Sequence, residues 1–258
     1  MTRVPLPALD LHAHVESDIA PAELTALDSV IFAVTRTPAE WPGALRRNDS
    51  STVWGIGCHP GIAGALRSFS GDAFADALPK YTFVGEVGLD GRAKTSSSDQ
   101  ESVFRAVLEA VAQDPRPLTV HSISAATRVL DLVEGHPQPG IILHWWRGTE
   151  EETARALELG CWFSLNGAEA RNPRVLSLLP PERVLTETDF PHSRRSDKAA
   201  DRPGAVSTIE RALGKMWDLD EWGVRRQVWQ NLRRLLDTTN QLSRMPRGIR
   251  RAMLVVGR

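Results

Sequence analysis

The chain has 258 residues, 41% of them hydrophobic and 24% charged, with a formal net charge of −1. That is enough apolar material for a substantial core, and it excludes the disordered, fibrous and disulfide-stapled classes. About 250 residues is also the usual size of a (β/α)8 barrel. Met1 to His14 lacks the continuous apolar core of a signal peptide, and no later apolar run approaches the roughly 20 residues that cross a bilayer. The expectation is a cytoplasmic protein with no membrane partner. Cys58 and Cys161 stand far apart without a CxxC spacing, which fits reduced thiols. The near-zero charge hides a polarity. From Thr238 to Arg258 there are five arginines and no acid, leaving 26 basic against 32 acidic residues before them, a balance of −6. Such an end can fray as a solvated terminus or attract a polyanion. The expected division is a barrel over residues 1–237 and a basic tail over 238–258.

Short β-branched or apolar runs recur in chain order at Ala8 to His12, Ser29 to Thr35, Thr52 to Gly57, Thr82 to Val87, Leu118 to His121, Gly140 to His144, Cys161 to Leu165 and Arg183 to Thr188. Between them lie amphipathic stretches such as Asp99 to Ala112, with Val103, Phe104, Val107, Leu108 and Val111 on one face, and Glu150 to Leu159. Strands alternating with helices imply a parallel sheet of βαβ units, and eight of them at this length favour an α/β fold closed into a (β/α)8 barrel. Polar stretches at Arg92 to Asp99 and Ser193 to Arg202 come after the fourth and eighth strands and are expected on the rim. The last strong helix is expected over Leu219 to Leu236, and the residues beyond Asp237 read as an appendage. There is no internal repeat and no glycine-rich phosphate loop, which disfavours dinucleotide and P-loop nucleotide enzymes.

The histidines gather at strand ends. His12 and His14 close the first strand, His59 stands just past the third, and His121 and His144 close the fifth and sixth. In a strand Asp10, His12 and His14 share one face, and two adjacent imidazoles at a strand end are a ready pair of metal ligands. A single histidine is more often a hydrogen-bonded core residue, but the pair together with the others shifts that balance. Glu86 ends the fourth strand between Gly85 and Gly88, and Asp189 ends the eighth before Pro191. All would converge on the C-terminal mouth of a barrel, where active sites of this fold lie. Four imidazoles and two carboxylates exceed the needs of one four-coordinate ion, so the site reads as binuclear with Glu86 as bridge. Cys58 is expected to face the opposite side of its strand as a small core residue rather than to serve as a soft ligand.

These residues carry a resemblance to the TatD family of metal-dependent deoxyribonucleases, among the amidohydrolase-like barrels. The matched elements run in order: Asp10-Leu-His12-Ala-His14, Gly57-Cys-His59-Pro60, Gly85-Glu86-Val-Gly88-Leu-Asp90, Gln100 with Phe104, His121-Ser122, His144 with Gly148, Glu187-Thr-Asp189-Phe-Pro191, Pro203 and Asn231. The resemblance covers roughly residues 8 to 236. It implies a distorted (β/α)8 barrel that hydrolyses phosphodiester bonds, as a 3′-to-5′ exonuclease on single-stranded or frayed DNA, with two divalent ions, Mg2+ or Mn2+ in activity and Zn2+ suited to the imidazoles. It places one ion on His12, His14, Glu86 and Asp189 and a second on Glu86, His121 and His144. His59 would face the substrate phosphate, Asp189 would also accept a proton, and Asp10 and Glu187 would orient imidazoles. The sequence departs from the family where Ile123 replaces a common arginine and Gly91 a common aromatic residue. Trp145, Trp146 and Arg147 make the segment after His144 unusually aromatic and basic; the tryptophans can stack unpaired bases and Arg147 can pair with phosphate, or a tryptophan can pack beneath its loop. Thr35 to Trp41 and this aromatic loop resemble a divergent branch found in bacterial anti-phage defence cassettes. Two other readings stay open: a metal-dependent amidohydrolase, lactonase or deaminase on a small molecule, and an inactive barrel serving as a binding subunit. Protein partners are not legible.

Overall fold

The computed structural model describes residues 5–192, 198 and 201–256. Eight strands are present: β1 (Ala8–His14), β2 (Ser29–Val34), β3 (Thr52–Trp54), β4 (Val84–Gly88), β5 (Leu118–His121), β6 (Ile141–His144), β7 (Trp162–Leu165) and β8 (Val184–Thr186). All neighbouring pairs are parallel, in the orders β1-β2-β3 and β4-β5-β6-β7-β8. Hydrogen bonds across two seams join these sheets into one ring. At the first, Ile56 bridges Val84, and the Gly85 and Cys58 N–H groups donate to the Ile56 and Glu86 carbonyls at 2.9 Å each. At the second, Asp189 N–H reaches the His12 carbonyl at 2.9 Å and His14 N–H the Phe190 carbonyl at 2.8 Å. The fold is the expected α/β barrel, distorted where the seams replace regular ladders.

Helices wrap the ring because each carries one apolar stripe. In chain order they are α1 (Pro21–Ala26), α2 (Trp41–Leu45), α3 (Ala63–Ser68), α4 (Gly71–Ala77), α5 (Ser97–Gln113), α6 (Ala126–Gly135), α7 (Glu150–Glu158), α8 (Pro173–Leu178), α9 (Ser207–Trp217), α10 (Glu221–Thr238) and α11 (Arg247–Val256). In α5 the stripe is Val103, Phe104, Val107, Leu108 and Val111, all buried. Ser96 caps this helix, and Thr149 with Glu152 forms a reciprocal capping box at the start of α7. No helix among the described residues is long and apolar enough to cross a membrane.

The segment after Asp237 is not the frayed appendage that its charge suggested. α11 buries Ile249, Ala252, Met253 and Val256, and Gly248 N–H donates to the Ser50 carbonyl at 2.9 Å. These positions are i, i+3, i+4 and i+7, a full core stripe, while Arg247, Arg250 and Arg251 stay exposed. The rim loop expected from Arg92 is present as Gly91 to Ser96, whereas the one expected from Ser193 to Arg202 lies mostly outside the described residues.

Candidate metal centre

Two strand irregularities aim the site. Between Asp10 and Ala13, β1 carries one more residue than β2, and between Val84 and Val87, β4 carries one more than β5. Such bulges bend a strand and re-aim its side chains. They fall at His12 and at Glu86. Close packing of β4 on β5 depends on glycine: a Cβ on Gly88, at φ +130°, would meet the His121 carbonyl oxygen at 2.2 Å.

The structure brings His12, His14, Glu86, His121, His144 and Asp189 together at the strand C-termini. The two oxygens of Glu86 divide between two sets of nitrogens. Oε1 lies 2.5 Å from His121 Nδ1 and 2.9 Å from His144 Nε2, and those nitrogens are 3.3 Å apart. Oε2 lies 3.3 Å from His14 Nε2 and 3.6 Å from His12 Nε2, while Asp189 Oδ1 is 3.5 Å and 3.8 Å from the same nitrogens. Ligand atoms at ~2.1 Å around a tetrahedral ion stand about 3.4 Å from one another. In the second set the four imidazole-to-carboxylate separations, 3.3–3.8 Å, lie near that spacing; in the first, the Glu86 to His121 pair would open by about 1 Å.

The donor chemistry fits a cation as well. His12 Nδ1 and Nε2, His14 Nδ1, Glu86 Oε2, His121 Nε2 and His144 Nδ1 are buried without a hydrogen-bond partner. Leaving such groups unsatisfied costs roughly 1–3 kcal/mol each; a cation between the residues offsets it for His12 Nε2 and Glu86 Oε2, the two of these atoms that face the cluster. Burial would raise Glu86, but the His59, His144 and His121 imidazoles outweigh it and hold the carboxyl well below its usual range. Asp189 is likewise lowered, its burial outweighed by His14 and His12. Burial pushes His12 down to about 3, so it is neutral and one ring nitrogen has a lone pair to offer. In His14 burial is outweighed by Asp189 and Glu86, which raise it to about 9. A divalent ion requires ionised carboxylates and deprotonated imidazole nitrogens, so it must displace the protons that the neighbouring carboxylates hold on His14, His121 and His144.

His59 stands at the edge of this cluster, partly exposed, with Nε2 3.5 Å from Glu86 Oε2. Its Nδ1 accepts the Gly61 N–H at 2.9 Å, so the neutral ring carries its proton on Nε2, the nitrogen that lies against Glu86. Burial lowers its pKa, which favours that neutral form. Glu187 sits beneath, accepting the Trp145 N–H at 2.9 Å and the Ser164 hydroxyl, with Oε1 3.7 Å from His144 Nδ1. Asp10 does something other than orient a ring. Its carboxylate accepts Thr188 N–H at 2.8 Å, Thr188 Oγ1 at 2.6 Å and Gly204 N–H at 2.8 Å, so it fixes the backbone that presents Asp189. Asp189 adopts φ +49° there, a conformation a non-glycine residue keeps only under such constraint.

The aromatic segment divides. Trp146 is fully buried, packs on Phe163 and donates Nε1–H to Thr153 Oγ1 at 2.9 Å, so it is a core residue and not a stacking platform. Trp145 is half-buried at the mouth with the exposed Arg147 guanidinium 5.1 Å from its ring centre. Cys58 is buried with Ala65, Leu66 and Val103, and burial pushes its thiol up to about 12. Three groups at the site escape sequence reasoning. Asp90 Oδ2 lies 3.4 Å from His121 Nε2, and the Gln100 amide clamps the Asp90 backbone. The His192 ring packs edge-on against His14 at 5.0 Å. Glu169, buried after β7, accepts from Trp145 Nε1 at 3.0 Å and Arg147 Nε at 3.3 Å. Asp90 closes the motif that begins at Gly85, which could have singled it out, but nothing in spacing marks the other two.

Comparison with known proteins agrees with the geometry. The profile of the family described as TatD related DNase matches residues 9–237. A protein of Citrobacter rodentium named 3′-5′ ssDNA/RNA exonuclease TatD is 33% identical over 147 residues, 53% of this chain and 56% of its own. One of the same name from Escherichia coli K12 is 30% identical over 159 residues, 57% of this chain and 61% of its own. These matches thus span little more than half the length of the curated relatives. Among solved structures, a TatD homologue from Escherichia coli K12 superposes with a TM-score of 0.77 at 18% identity, covering 88% of this chain and 97% of that one. A TatD family hydrolase from Entamoeba histolytica gives 0.71, also at 18%, covering 89% and 97%.

Proposed function

We propose, proceeding from the fact that the chain belongs to the TatD related DNase family, that it is a divalent-metal phosphodiesterase removing nucleotides from 3′ ends of single-stranded or frayed DNA. The observation that carries this reading is Glu86, whose two oxygens each face a separate set of imidazole nitrogens within 3.6 Å. His12, His14, Glu86 and Asp189 would hold one ion and Glu86, His121 and His144 the second. Bound there, a pair of divalent ions supplies Lewis-acid polarisation of the phosphate and a nucleophilic oxygen at neutral pH. The imidazole content suits Zn2+ or Mn2+ at least as well as Mg2+.

The side chains divide the remaining work. Asp189, kept ionised, accepts the proton of the attacking water on its carboxylate. His59, neutral with its proton on Nε2, donates toward a phosphate oxygen. Glu187 and Asp90 flank His144 and His121 and keep their rings turned toward Glu86. The relatives' printed names, which specify 3′-5′ action on single-stranded DNA and RNA, support the direction of digestion.

The test incubates purified protein with end-labelled single-stranded DNA under Mg2+, Mn2+ or Zn2+, with and without EDTA, beside Glu86→Ala. Expected are stepwise shortening from the 3′ end, its abolition by EDTA, and a loss of at least ~10³-fold in the variant. An inactive wild type with all three ions, or an equally active variant, overturns the reading.

A further inference from the structure

A cavity of about 550 Å³ opens beside the cluster, between the residues after β5 and those after β6. It adjoins the metal ligands through Ser122, next to His121, and Trp145, next to His144. Its walls carry Arg92, Arg128 and Arg147 against one acid, Glu152. That acid is already engaged, accepting Thr127 Oγ1 at 2.6 Å and Thr149 N–H at 2.9 Å. Arg128 is spent on Glu101. The other two arginines are not. Arg92 is held only through Nε, by Ser124 Oγ at 3.0 Å, and has no carboxylate partner among the described residues. Arg147 is held only through Nε, by Glu169, and lies over the Trp145 ring. Among the described residues the terminal amino groups of both are left without a hydrogen bond, and both arginines line a cavity with one aromatic wall, Trp145, and an aliphatic one, Ile123.

We propose that this cavity is the subsite for the nucleotide next to the scissile phosphate, its phosphate taken by Arg92 and Arg147 and its base by Trp145. The inference rests on the phosphodiesterase reading and names the part of the substrate that reading leaves unplaced. The chemistry is that of a nucleotide: a planar guanidinium fork matches phosphate oxygens, an aromatic face accepts any base, and a few hundred cubic ångströms suit one such unit. Glu169 is its positioning residue. With the carboxylate 1% exposed, one oxygen fixes both the indole and the guanidinium, so the two arrive at the mouth already ordered. Arg92 reaches the same cavity from the loop after β4, bringing a cation to the side of the mouth where Ile123 supplies none.

The experiment measures binding of fluorescein-labelled hexathymidylate to the full chain by anisotropy in EDTA, where no cleavage occurs, across a salt series. The double variant R92A/R147A is expected to bind at least tenfold more weakly at low salt, with the slope of log K against log salt reduced by about 0.7, the share of one phosphate. R247A/R250A, at the opposite end of the barrel, should change affinity less than twofold. E169A should weaken binding about tenfold, while E169Q, whose amide oxygen still accepts from Trp145 and Arg147, should stay within about threefold of wild type. Equal affinity and slope for R92A/R147A, or equal losses in the two double variants, overturns the subsite. Hydrolysis of bis(p-nitrophenyl) phosphate under Mn2+, a substrate with no neighbouring nucleotide, separates the two readings. Its absence in the wild type counts against the phosphodiesterase, whereas the EDTA titration decides the subsite alone.

Discussion

Glu86 has imidazole nitrogens of His12, His14, His59, His121 and His144 within 3.6 Å of its carboxylate. At 1% exposure an acid would ordinarily shed its charge, and here the surrounding rings keep it ionised. Glu187 supports the same group from beneath. Glu187→Ala strips the acceptor from Trp145 N–H and the carboxylate beside His144, and divalent-ion affinity is expected to fall 10–100-fold. Competition with a chromogenic chelator measures this, and unchanged affinity would remove Glu187 from the site. Glu169 is a different kind of buried acid. Burial raises it to about 7, against which Arg147 works only in part. Its folded pKa exceeds the ordinary value near 4.5, so the native state holds the proton more tightly. Stability from this group is therefore full below pH 4.5 and lost as pH rises through 7, by about 3 kcal/mol. Urea titrations between pH 4.5 and 8 should show wild type losing that much relative to Glu169→Gln; parallel profiles would contradict it.

At the scale of elements, what the sequence disclosed depended on what each residue type can signal. Strand-end histidines and acids were legible because alternation and chain order fix which face and which end they occupy. Asp10 was legible as a buried acid, but its partners, Thr188 and Gly204, come from a segment nearly two hundred residues away that no local pattern points to. The two tryptophans after His144 are chemically alike in sequence, and only the packing of α7 against β7 tells them apart. Trp146→Ala should cost about 3–5 kcal/mol in denaturant unfolding, as large aromatic truncations in a core do, while leaving DNA affinity of the folded protein unchanged. Loss of affinity without loss of stability would restore Trp146 as a substrate contact. α11 was legible too, as apolar positions 249, 252, 253 and 256, but its arginines drew attention to charge and away from period.

For the whole molecule, that helix changes what truncation means. Removing Gln241 to Arg258 takes away the buried stripe of α11 and uncovers the surface of α10 beneath it. Ile249, Met253 and Val256 at about 1.5–3 kcal/mol each, with a smaller share from Ala252, approach the whole stability of an ordinary domain. The shortened chain is expected to be insoluble or to melt at least ~10 °C lower by calorimetry; a truncated protein with unaltered melting would return the segment to the status of a tail. The acidic balance of the first 237 residues also acquires a location. Two of its carboxylates face inward on five imidazoles, and the Arg92 and Arg147 guanidinium groups line the cavity beside them, so the proposed cation ligands and the proposed anion contacts share one mouth.

The seam between β1 and β8 carries a consequence in time. Thr188 and Asp10, 178 residues apart, must meet before Asp189 can stand opposite His12 and His14. During synthesis the first imidazole pair leaves the ribosome almost at once, yet its carboxylate partner emerges only after three quarters of the chain has been made. No N-terminal fragment shorter than 189 residues contains the ligand set proposed for the ion on His12, His14, Glu86 and Asp189, so that ion cannot template early folding as it does in a zinc finger. A chain re-cut at the loop between β3 and β4, with its old ends joined, would shorten that separation from 178 to about 80 residues and should load metal sooner after dilution from urea.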